Sequence, residues 1–324
     1  MTAVPGFPVH VSAVIDRRYR VGTRRLRRHH SFNMLQRPFA ALLLLSSPIL
    51  SAKADISFDY DQTQPLDIQE TGSREQDGIT LRDISYVLPD GSRNAATVVA
   101  KQDGSGPRPG ILFVHWYGPP DPTSNRTQFI PDAVELAKGG AISLLIDTPW
   151  SKPEYFRQRK REEDYARSVQ QVKDLRRALD VLLSLPNIDR ERIAFVGHDF
   201  GAMYGALAVS CDTRAKSFVF MAGTQSFSDW FLYGPKPPED VRQKFIAELA
   251  PLDPIKYLPK LKMPKLLQFA DDDEHVSKAR ADALAAAAPE PKTVRFYSAK
   301  HELNEAATRE RIAWLKQQLK MEAK

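Results

Sequence analysis

Five short apolar runs recur between residues 111 and 269, and segments with helical periodicity separate them. The runs are 111–114, 142–146, 193–196, 218–221 and 266–269. Strands that are apolar along nearly their whole length are buried on both faces, as in a parallel sheet covered by helices. The sequence therefore predicts an α/β fold with a mostly parallel central sheet and helices on both faces.

The segments around these runs refine that prediction. Pro89-Asp90-Gly91 is a turn signal between strand candidates at 79–87 and 95–100, which indicates antiparallel strands at the start of the sheet. Apolar residues recur at steps of three and four from Tyr165 to Leu182, which is typical of an amphipathic helix. Further helices are predicted over 277–287 and 309–319.

Residues 223–260 interrupt this alternation and are rich in aromatic residues and prolines. One interpretation is a small cap insertion over the carboxyl edge of the sheet, where ligands bind in such folds. The other is an ordinary long connection that contains its own core helix.

The N-terminal 54 residues carry a charge balance of their own. They hold eight arginines and Lys53 against a single acid, Asp16, although the whole chain has a net charge of +6. The remaining residues carry 37 basic and 39 acidic side chains, so their balance does not indicate a nucleic-acid partner.

The same 54 residues contain the pattern of a secretory signal. Arg37 precedes a twelve-residue apolar run, Phe39 to Leu50, and Ala52-Lys53-Ala54 follows as an A-x-A cleavage motif. The run is too short to span a bilayer, so residues 34–54 are predicted to be a signal peptide cleaved after Ala54. A short buried helix is the alternative. Export to the periplasm or the medium, without a stable membrane anchor, would follow.

These patterns predict how the chain is divided into segments. Residues 1–33 are predicted to be an Arg-rich extension, which is not translated if Met34 is the start, and residues 55–77 an N-terminal linker. One domain covers 78–324. The chain has one cysteine, which excludes an internal disulfide and a cysteine-based zinc site.

The turn after the run at 193–196 carries the strongest chemical signal. Gly197-His198-Asp199-Phe200-Gly201 joins a strand to a helix and places glycines two residues on either side of Asp199. That spacing is typical of a nucleophile elbow, where a strained central residue has closely packed neighbours.

Two further features follow in the chain order expected for a catalytic triad. The cluster Asp271-Asp272-Asp273 comes after the run at 266–269, and His301 comes after a strand candidate at 294–297. His301 is the expected base, with Asp273 as its orienting acid and Asp272 as the second choice. Asp199 is the expected nucleophile.

Other residues are predicted to line the site. Backbone N–H groups of Trp116 and Phe200 are the expected oxyanion donors, because one comes from the loop after strand 111–114 and the other follows the nucleophile. The expected pocket residues are His115, Tyr117, Trp150, Tyr204 and Trp230. Core packing is the alternative for each of the aromatic residues.

These motifs together resemble the α/β-hydrolase superfamily over roughly residues 78–320. Pro251-Leu252-Asp253-Pro254 and the segments 269–276 and 301–304 look like the dienelactone-hydrolase-like branch, which normally has cysteine or serine at the elbow. The elbow Gly-His-Asp-Phe-Gly instead resembles that of epoxide hydrolases and haloalkane dehalogenases. That resemblance implies an aspartate nucleophile.

The chemistry of an aspartate at this position leaves three interpretations open. A carboxylate attacks a saturated carbon that bears a leaving group and forms an alkyl ester, which His301 and water then hydrolyse. An ester or lactone hydrolase that uses Asp199 through an anhydride or as a base is the second. An inactive hydrolase-fold binding protein is the third.

The nature of the leaving group depends on the donors near the site. A halide is stabilised by indole N–H groups, for which Trp116, Trp150 and Trp230 are candidates. An epoxide oxygen is stabilised by phenol hydroxyls, with Tyr117, Tyr204, Tyr233 and Tyr257 as candidates. No cofactor or metal is expected, and the predicted partner is a small organic substrate.

The signal-peptide prediction has a direct test. When the full chain is expressed in a bacterium and recovered from the periplasm, its N-terminal residue should be Asp55. N-terminal sequencing or intact mass measures this, and replacing Ala52 and Ala54 by bulky residues should block processing. Recovery of an unprocessed chain from the cytoplasm would contradict the prediction.

Overall fold

A single sheet runs through the described residues, and it contains nine strands there. The structure is a computed structural model that describes residues 56–102, 106–234 and 236–321. The predicted extension 1–33, the signal peptide 34–54 and its cleavage position lie outside these residues. The strands are β1 Gln69–Gln76, β2 Ile79–Val87, β3 Arg93–Ala100, β4 Arg108–Val114, β5 Ile142–Ile146, β6 Ile188–His198, β7 Ser217–Met221, β8 Lys265–Ala270 and β9 Lys292–Tyr297.

The helices lie mainly between these strands. They are α1 Ile130–Lys138, α2 Tyr155–Gln158, α3 Asp164–Ser184, α4 Phe200–Cys211, α5 Phe227–Phe231, α6 Glu239–Leu249, α7 Lys278–Ala287 and α8 Glu305–Gln318. The last helix begins four residues before the predicted start at 309, because the Asn304 side chain accepts a hydrogen bond from the Ala307 N–H at 3.1 Å and caps it. Within the described residues, no helix is both long and apolar enough to cross a bilayer.

The strand order is β1-β2-β3-β5-β4-β6-β7-β8-β9. The pairs β1–β2, β2–β3 and β3–β5 are antiparallel. The pairs β5–β4, β4–β6, β6–β7, β7–β8 and β8–β9 are parallel. The sequence predicted this combination of antiparallel strands at the start and a parallel sheet after them. The chain turns back at β4, which lies between β5 and β6. Ligands of such sheets bind beyond the carboxyl ends of the strands at this switch point.

Helices cover both faces of the sheet and produce two apolar cores. One core joins the sheet to α3, α4 and α7, and the other joins it to α1 and α8. Both faces of the central strands are therefore shielded from solvent. β5, β7 and β8 are buried at every position, which explains their nearly continuous apolar sequences.

The segment predicted to be a linker is part of the sheet. β1 pairs with β2 in antiparallel register, with an irregularity between Glu70 and Gly72, and all eight of its residues are exposed. Upstream, Phe58 is buried and the Tyr60 hydroxyl donates to Asp180 at 2.8 Å. The linker prediction for 55–77 was wrong because a strand without buried side chains leaves no apolar pattern to detect.

The insertion at 223–260 combines both of its predicted roles. It forms α5, α6 and three 3₁₀ turns at Ala250–Leu252, Pro254–Lys256 and Leu258–Lys260. Leu249, Leu252 and Leu258 are fully buried in the core that contains α4, so the second half is interior. The first half, with α5, lies over the site described below.

A buried ion pair joins the two helices of one face. The Arg311 guanidinium on α8 donates to Asp132 Oδ2 on α1 at 2.9 and 2.7 Å and to Gln268 Oε1 of β8 at 3.2 Å. Arg311 and Asp132 are 3% and 4% exposed. Removal of one partner would leave the other charge buried without compensation.

Replacement of Arg311 by alanine should therefore lower the free energy of unfolding by about 3–5 kcal/mol. Arg309→Ala is the matched control, since Arg309 lies on the same helix in an exposed pair with Glu305 and its side chain is 71% exposed. It should change stability by less than about 0.5 kcal/mol. Urea unfolding measures both, and equal effects would contradict the structural role of the pair.

Candidate active site

Asp199 lies at the sharp turn between β6 and α4. Its backbone has φ 53° and ψ −117°, a conformation that is strained for a residue with a side chain. The flanking glycines make the turn feasible. A Cβ on Gly197 would lie 2.3 Å from the Gly201 carbonyl oxygen, and one on Gly201 would lie 2.2 Å from the Val114 carbonyl oxygen. This is the geometry predicted for the elbow.

The two carboxylate oxygens of Asp199 have different surroundings. Oδ2 accepts the Tyr117 N–H at 3.1 Å, and the Phe200 amide also stabilises the ionised carboxylate. Oδ1 is buried and has no hydrogen-bond partner among the described residues. One oxygen of the carboxylate is therefore held by a backbone amide, and the other is left without a partner among the described residues.

Complete burial raises the pKa of Asp199 to about 7, because desolvation outweighs the charge of His301 and the two amides. Asp199 is 0% exposed. Burial therefore disfavours the ionised form of Asp199 relative to an exposed aspartate.

His301 and Asp273 form the second part of the site. The His301 Nδ1 lies 2.9 Å from Asp273 Oδ2 and 3.1 Å from Oδ1. Asp273 also accepts the backbone N–H groups of His275 and Val276 at 2.8 and 2.9 Å, which fix its orientation. Asp272 is exposed, so the structure places the first-choice acid, and not the second, on the histidine.

His301 and Asp273 each favour the charged form of the other. Burial lowers the pKa of His301, but the hydrogen bond to Asp273 and the charge of Asp199 outweigh it, so the net shift is upward. Burial raises the pKa of Asp273, but the bond to His301 reverses the shift and the net pKa is lowered. His301 Nε2 is buried and has no hydrogen-bond partner among the described residues.

Two indole rings flank His301. The Trp116 ring lies 6.1 Å from the His301 ring and the Trp230 ring lies 5.4 Å from it, measured between centroids. Both indole N–H groups are buried without an acceptor among the described residues. Buried polar groups are normally paired, so a cluster of unpartnered donors and acceptors around one histidine indicates a binding site for a ligand or for water.

One oxyanion donor differs from the prediction. The Trp116 N–H donates to Gln128 Oε1 at 2.9 Å, so it is the next amide, that of Tyr117, that reaches Asp199. The Phe200 amide also lies beside the Asp199 carboxylate, and its role as an oxyanion donor stays a prediction. Sequence reasoning missed Gln128, which follows no motif and approaches the site only through the fold.

His198 is a second residue that the sequence did not single out. Its Nε2 lies 3.0 Å from the His301 carbonyl oxygen, and its Nδ1 lies 2.6 Å from Gln128 Nε2. Burial holds its pKa well below the usual value, so the ring is neutral. His198 lies next to Asp199 in the chain and contacts both the loop of His301 and Gln128, which holds the Trp116 amide.

Three predicted pocket residues belong to the interior instead. The His115 Nε2 lies 2.8 Å from both Thr148 Oγ1 and Ser151 Oγ, and burial lowers its pKa to about 4. The Trp150 N–H donates to the His115 carbonyl at 3.1 Å. The Tyr204 hydroxyl lies 2.9 Å from Ser168 Oγ. Their polar groups are satisfied within the fold, and the core-packing alternative was right for Trp150 and Tyr204.

Tyr117 and Trp230 do lie at the site. Tyr117 holds Asp199 through its amide, while its hydroxyl donates to the Pro153 carbonyl at 3.3 Å. Among the described residues, no group of three or more histidine, cysteine or acidic side chains has the arrangement of a metal site.

Comparisons with known proteins place this geometry in a fold family. No protein-family model matches the sequence, and no curated protein matches it. Solved structures do match. An acetyl xylan esterase from Paenibacillus sp. R4 has a TM-score of 0.65 at 19% identity, covering 78% of this chain and 89% of that one. This chain has the α/β-hydrolase fold.

Two other structures support the same assignment. A cold-adapted esterase from an Arctic intertidal metagenomic library has a TM-score of 0.58 at 18% identity, covering 78% of this chain and 99% of that one. A protein from Klebsiella pneumoniae subsp. pneumoniae MGH 78578, described as a dienelactone hydrolase, has a TM-score of 0.54 at 14% identity, covering 75% and 99%. The α/β-hydrolase fold predicted from the elbow and from the alternating strands and helices is confirmed.

The buried carboxyl of Asp199 should reduce the stability of the protein at alkaline pH. Its pKa is about 7 in the folded chain and near 3.8 when unfolded, so between these values the folded state binds more protons. Stability from this group is therefore lost as the pH rises from about 4 to 7. Asp199→Asn, which keeps an acceptor for the Tyr117 amide, should stabilise the protein by about 2 kcal/mol or more at pH 8.

Urea unfolding of the wild type and of Asp199→Asn at pH 5 and pH 8 measures this as a double difference. Groups away from the site titrate equally in both proteins and cancel, and His301, whose pKa depends on the charge of Asp199, is removed from the comparison by repeating it in a His301→Gln background. An identical pH dependence for the two proteins would show that the Asp199 carboxyl is not shifted.

Proposed function

We propose that this chain is a hydrolase in which Asp199 attacks a saturated carbon and forms a covalent ester. The observation that carries the proposal is the unequal environment of its two oxygens. Oδ2 accepts the Tyr117 amide and the Phe200 amide also stabilises the carboxylate, while Oδ1 is buried without a partner among the described residues. A serine enzyme would use such amides for the carbonyl oxygen of its substrate.

In the first step, ionised Asp199 Oδ1 forms a bond to the substrate carbon as the bond to the leaving group breaks. The leaving group departs with the bonding electron pair, and the carboxylate becomes an alkyl ester. Oδ2 becomes the carbonyl oxygen of this ester and lies on the two amides, where negative charge develops next.

In the second step, His301 Nε2 takes a proton from water, and the resulting hydroxide attacks the ester carbonyl carbon. Asp273 stabilises the imidazolium through Nδ1, at 2.9 Å. The tetrahedral oxyanion on Oδ2 collapses, the alkoxide leaves with Oδ1 and takes the proton from His301. Asp199 is regenerated with one oxygen that came from water.

The free indoles favour a halide over an epoxide oxygen as the leaving group. Trp116 and Trp230 each have a buried N–H without an acceptor in the part of the chain that the structure describes, whereas the Trp150 N–H is occupied. Among the candidate phenols, those of Tyr117, Tyr204 and Tyr257 are engaged within the fold. Tyr233 is 63% exposed. A small halogenated organic compound is therefore the proposed substrate.

Ester hydrolysis is the second candidate, and one observation favours it. The pKa of Asp199, at about 7, suits a general base that activates water at neutral pH. The matched structures that are named as esterases share the fold. In this alternative Asp199 takes a proton and forms no bond to the substrate.

Export from the cytoplasm is part of the proposal and is supported by the pattern of residues 34–54. The mature enzyme would then meet its substrate outside the cytoplasm.

His301→Gln should trap the alkyl ester, because the first step needs only the carboxylate and the second needs the base. Incubation with a panel of short bromoalkanes and chloroalkanes should add the mass of the alkyl group to Asp199, as measured by intact-protein and peptide mass spectrometry. Asp273→Asn should accumulate the same adduct, and Asp272→Asn is its matched control without accumulation. Failure to label Asp199 with any alkyl halide would contradict the nucleophile assignment.

A single turnover of the wild type in H₂¹⁸O separates the two candidates. With a nucleophilic aspartate, the first product carries ¹⁶O from the enzyme, and Asp199 gains about 2 Da from water. With Asp199 as a base, ¹⁸O appears directly in the product and the enzyme mass is unchanged. Absence of turnover towards halides and esters alike would favour the third interpretation, a binding protein.

A further inference from the structure

A polar cavity of about 290 Å³ lies beside the catalytic histidine, between the 223–249 segment and the loop after β8. Two of its walls are the rings of Trp230 and His275, which also pack on His301 at 5.4 and 5.0 Å between centroids. These two rings therefore separate the cavity from His301, which is itself 4% exposed. Its volume suits one end of a small ligand.

The walls of the cavity carry an excess of positive charge. Lys236, Arg242 and Arg280 line it, against the carboxylates of Asp229 and Glu274. Arg280 pairs with Asp229 Oδ1 at 2.8 Å, and the Thr224 hydroxyl donates to Oδ2 at 2.7 Å, so this acid is fully engaged.

The other two cations have weak partners or none. Arg242 makes one contact of 3.3 Å with Glu239 on the same helix, and because the Glu239 side chain is 70% exposed this pair contributes little. Lys236 makes no ion pair with any carboxylate of the described residues. Glu274 is 58% exposed and lies 3.8 Å from His275, whose pKa is lowered by burial and by the charge of His301, so that ring is neutral.

We propose that this cavity binds a carboxylate of the substrate, and that Arg242 and Lys236 determine this specificity. The inference rests on the proposed function, and it narrows the substrate class to short alkanoates that carry the leaving group several bonds away from the carboxylate. The guanidinium of Arg242 offers a planar pair of donors for that group. The chain of the substrate would pass Trp230 to reach Asp199.

A binding measurement tests this without turnover. The Asp199→Asn variant, which cannot form the ester, is titrated with butyrate and with its neutral isostere butyramide, by calorimetry and by tryptophan fluorescence. Butyrate should bind at least about tenfold more tightly than butyramide. Higher salt should reduce the difference, because the cations are partly exposed.

Substitutions in the same background identify the residues. Arg242→Gln and Lys236→Gln should each weaken butyrate by about fivefold to tenfold and leave butyramide unchanged. Arg309→Gln, on the exposed face of α8, is the matched control and should have no effect. Equal affinity for the two probes, no binding of either, or a preference that survives both substitutions would overturn the inference.

The outcome is separable from the test of the proposed function. An adduct on Asp199 from neutral haloalkanes, together with no preference for butyrate, would retain the nucleophile and overturn the carboxylate site. A strong preference for butyrate without any adduct would retain the site and overturn the covalent mechanism.

Discussion

The close approach of α4 to the end of β4 is the constraint on which the candidate site depends. The first turn of the helix lies so near the Val114 carbonyl that only a glycine fits at position 201. This contact places Asp199 against the loop that follows β4, and therefore against the Tyr117 amide. The strained backbone of Asp199 and the position of its carboxylate both follow from this packing.

The chemistry of the site depends on buried polar atoms that have no hydrogen-bond partner among the described residues. Asp199 Oδ1, His301 Nε2 and the indole nitrogens of Trp116 and Trp230 are all of this kind. A buried polar group is costly when it stays unpaired, so these are the positions at which a ligand or water completes the hydrogen bonding. The surrounding network of His198, Gln128 and Asp273 is fully bonded and holds these atoms in place.

The sequence predicted what local patterns encode, and it failed where tertiary packing decides. The elbow glycines, the alternation of strands and helices and the choice of Asp273 over Asp272 each followed from patterns along the chain. The choice between the Trp116 and Tyr117 amides did not, because it depends on Gln128, which is distant from any motif. His115 and Trp150 follow strands that end at the site, which is why the sequence predicted them as pocket residues. In the structure the His115 ring bonds to Thr148, and the Trp150 indole N–H donates to the His115 carbonyl.

The exposed strand β1 has a consequence for the behaviour of the protein at high concentration. It occupies one edge of the sheet, where unpaired backbone groups would otherwise recruit strands from other molecules. Its charged side chains and the register irregularity near Gly72 make it a poor template for such pairing. β1 therefore acts as a shield against aggregation for the more apolar strand β2, a role that requires no buried side chain of its own.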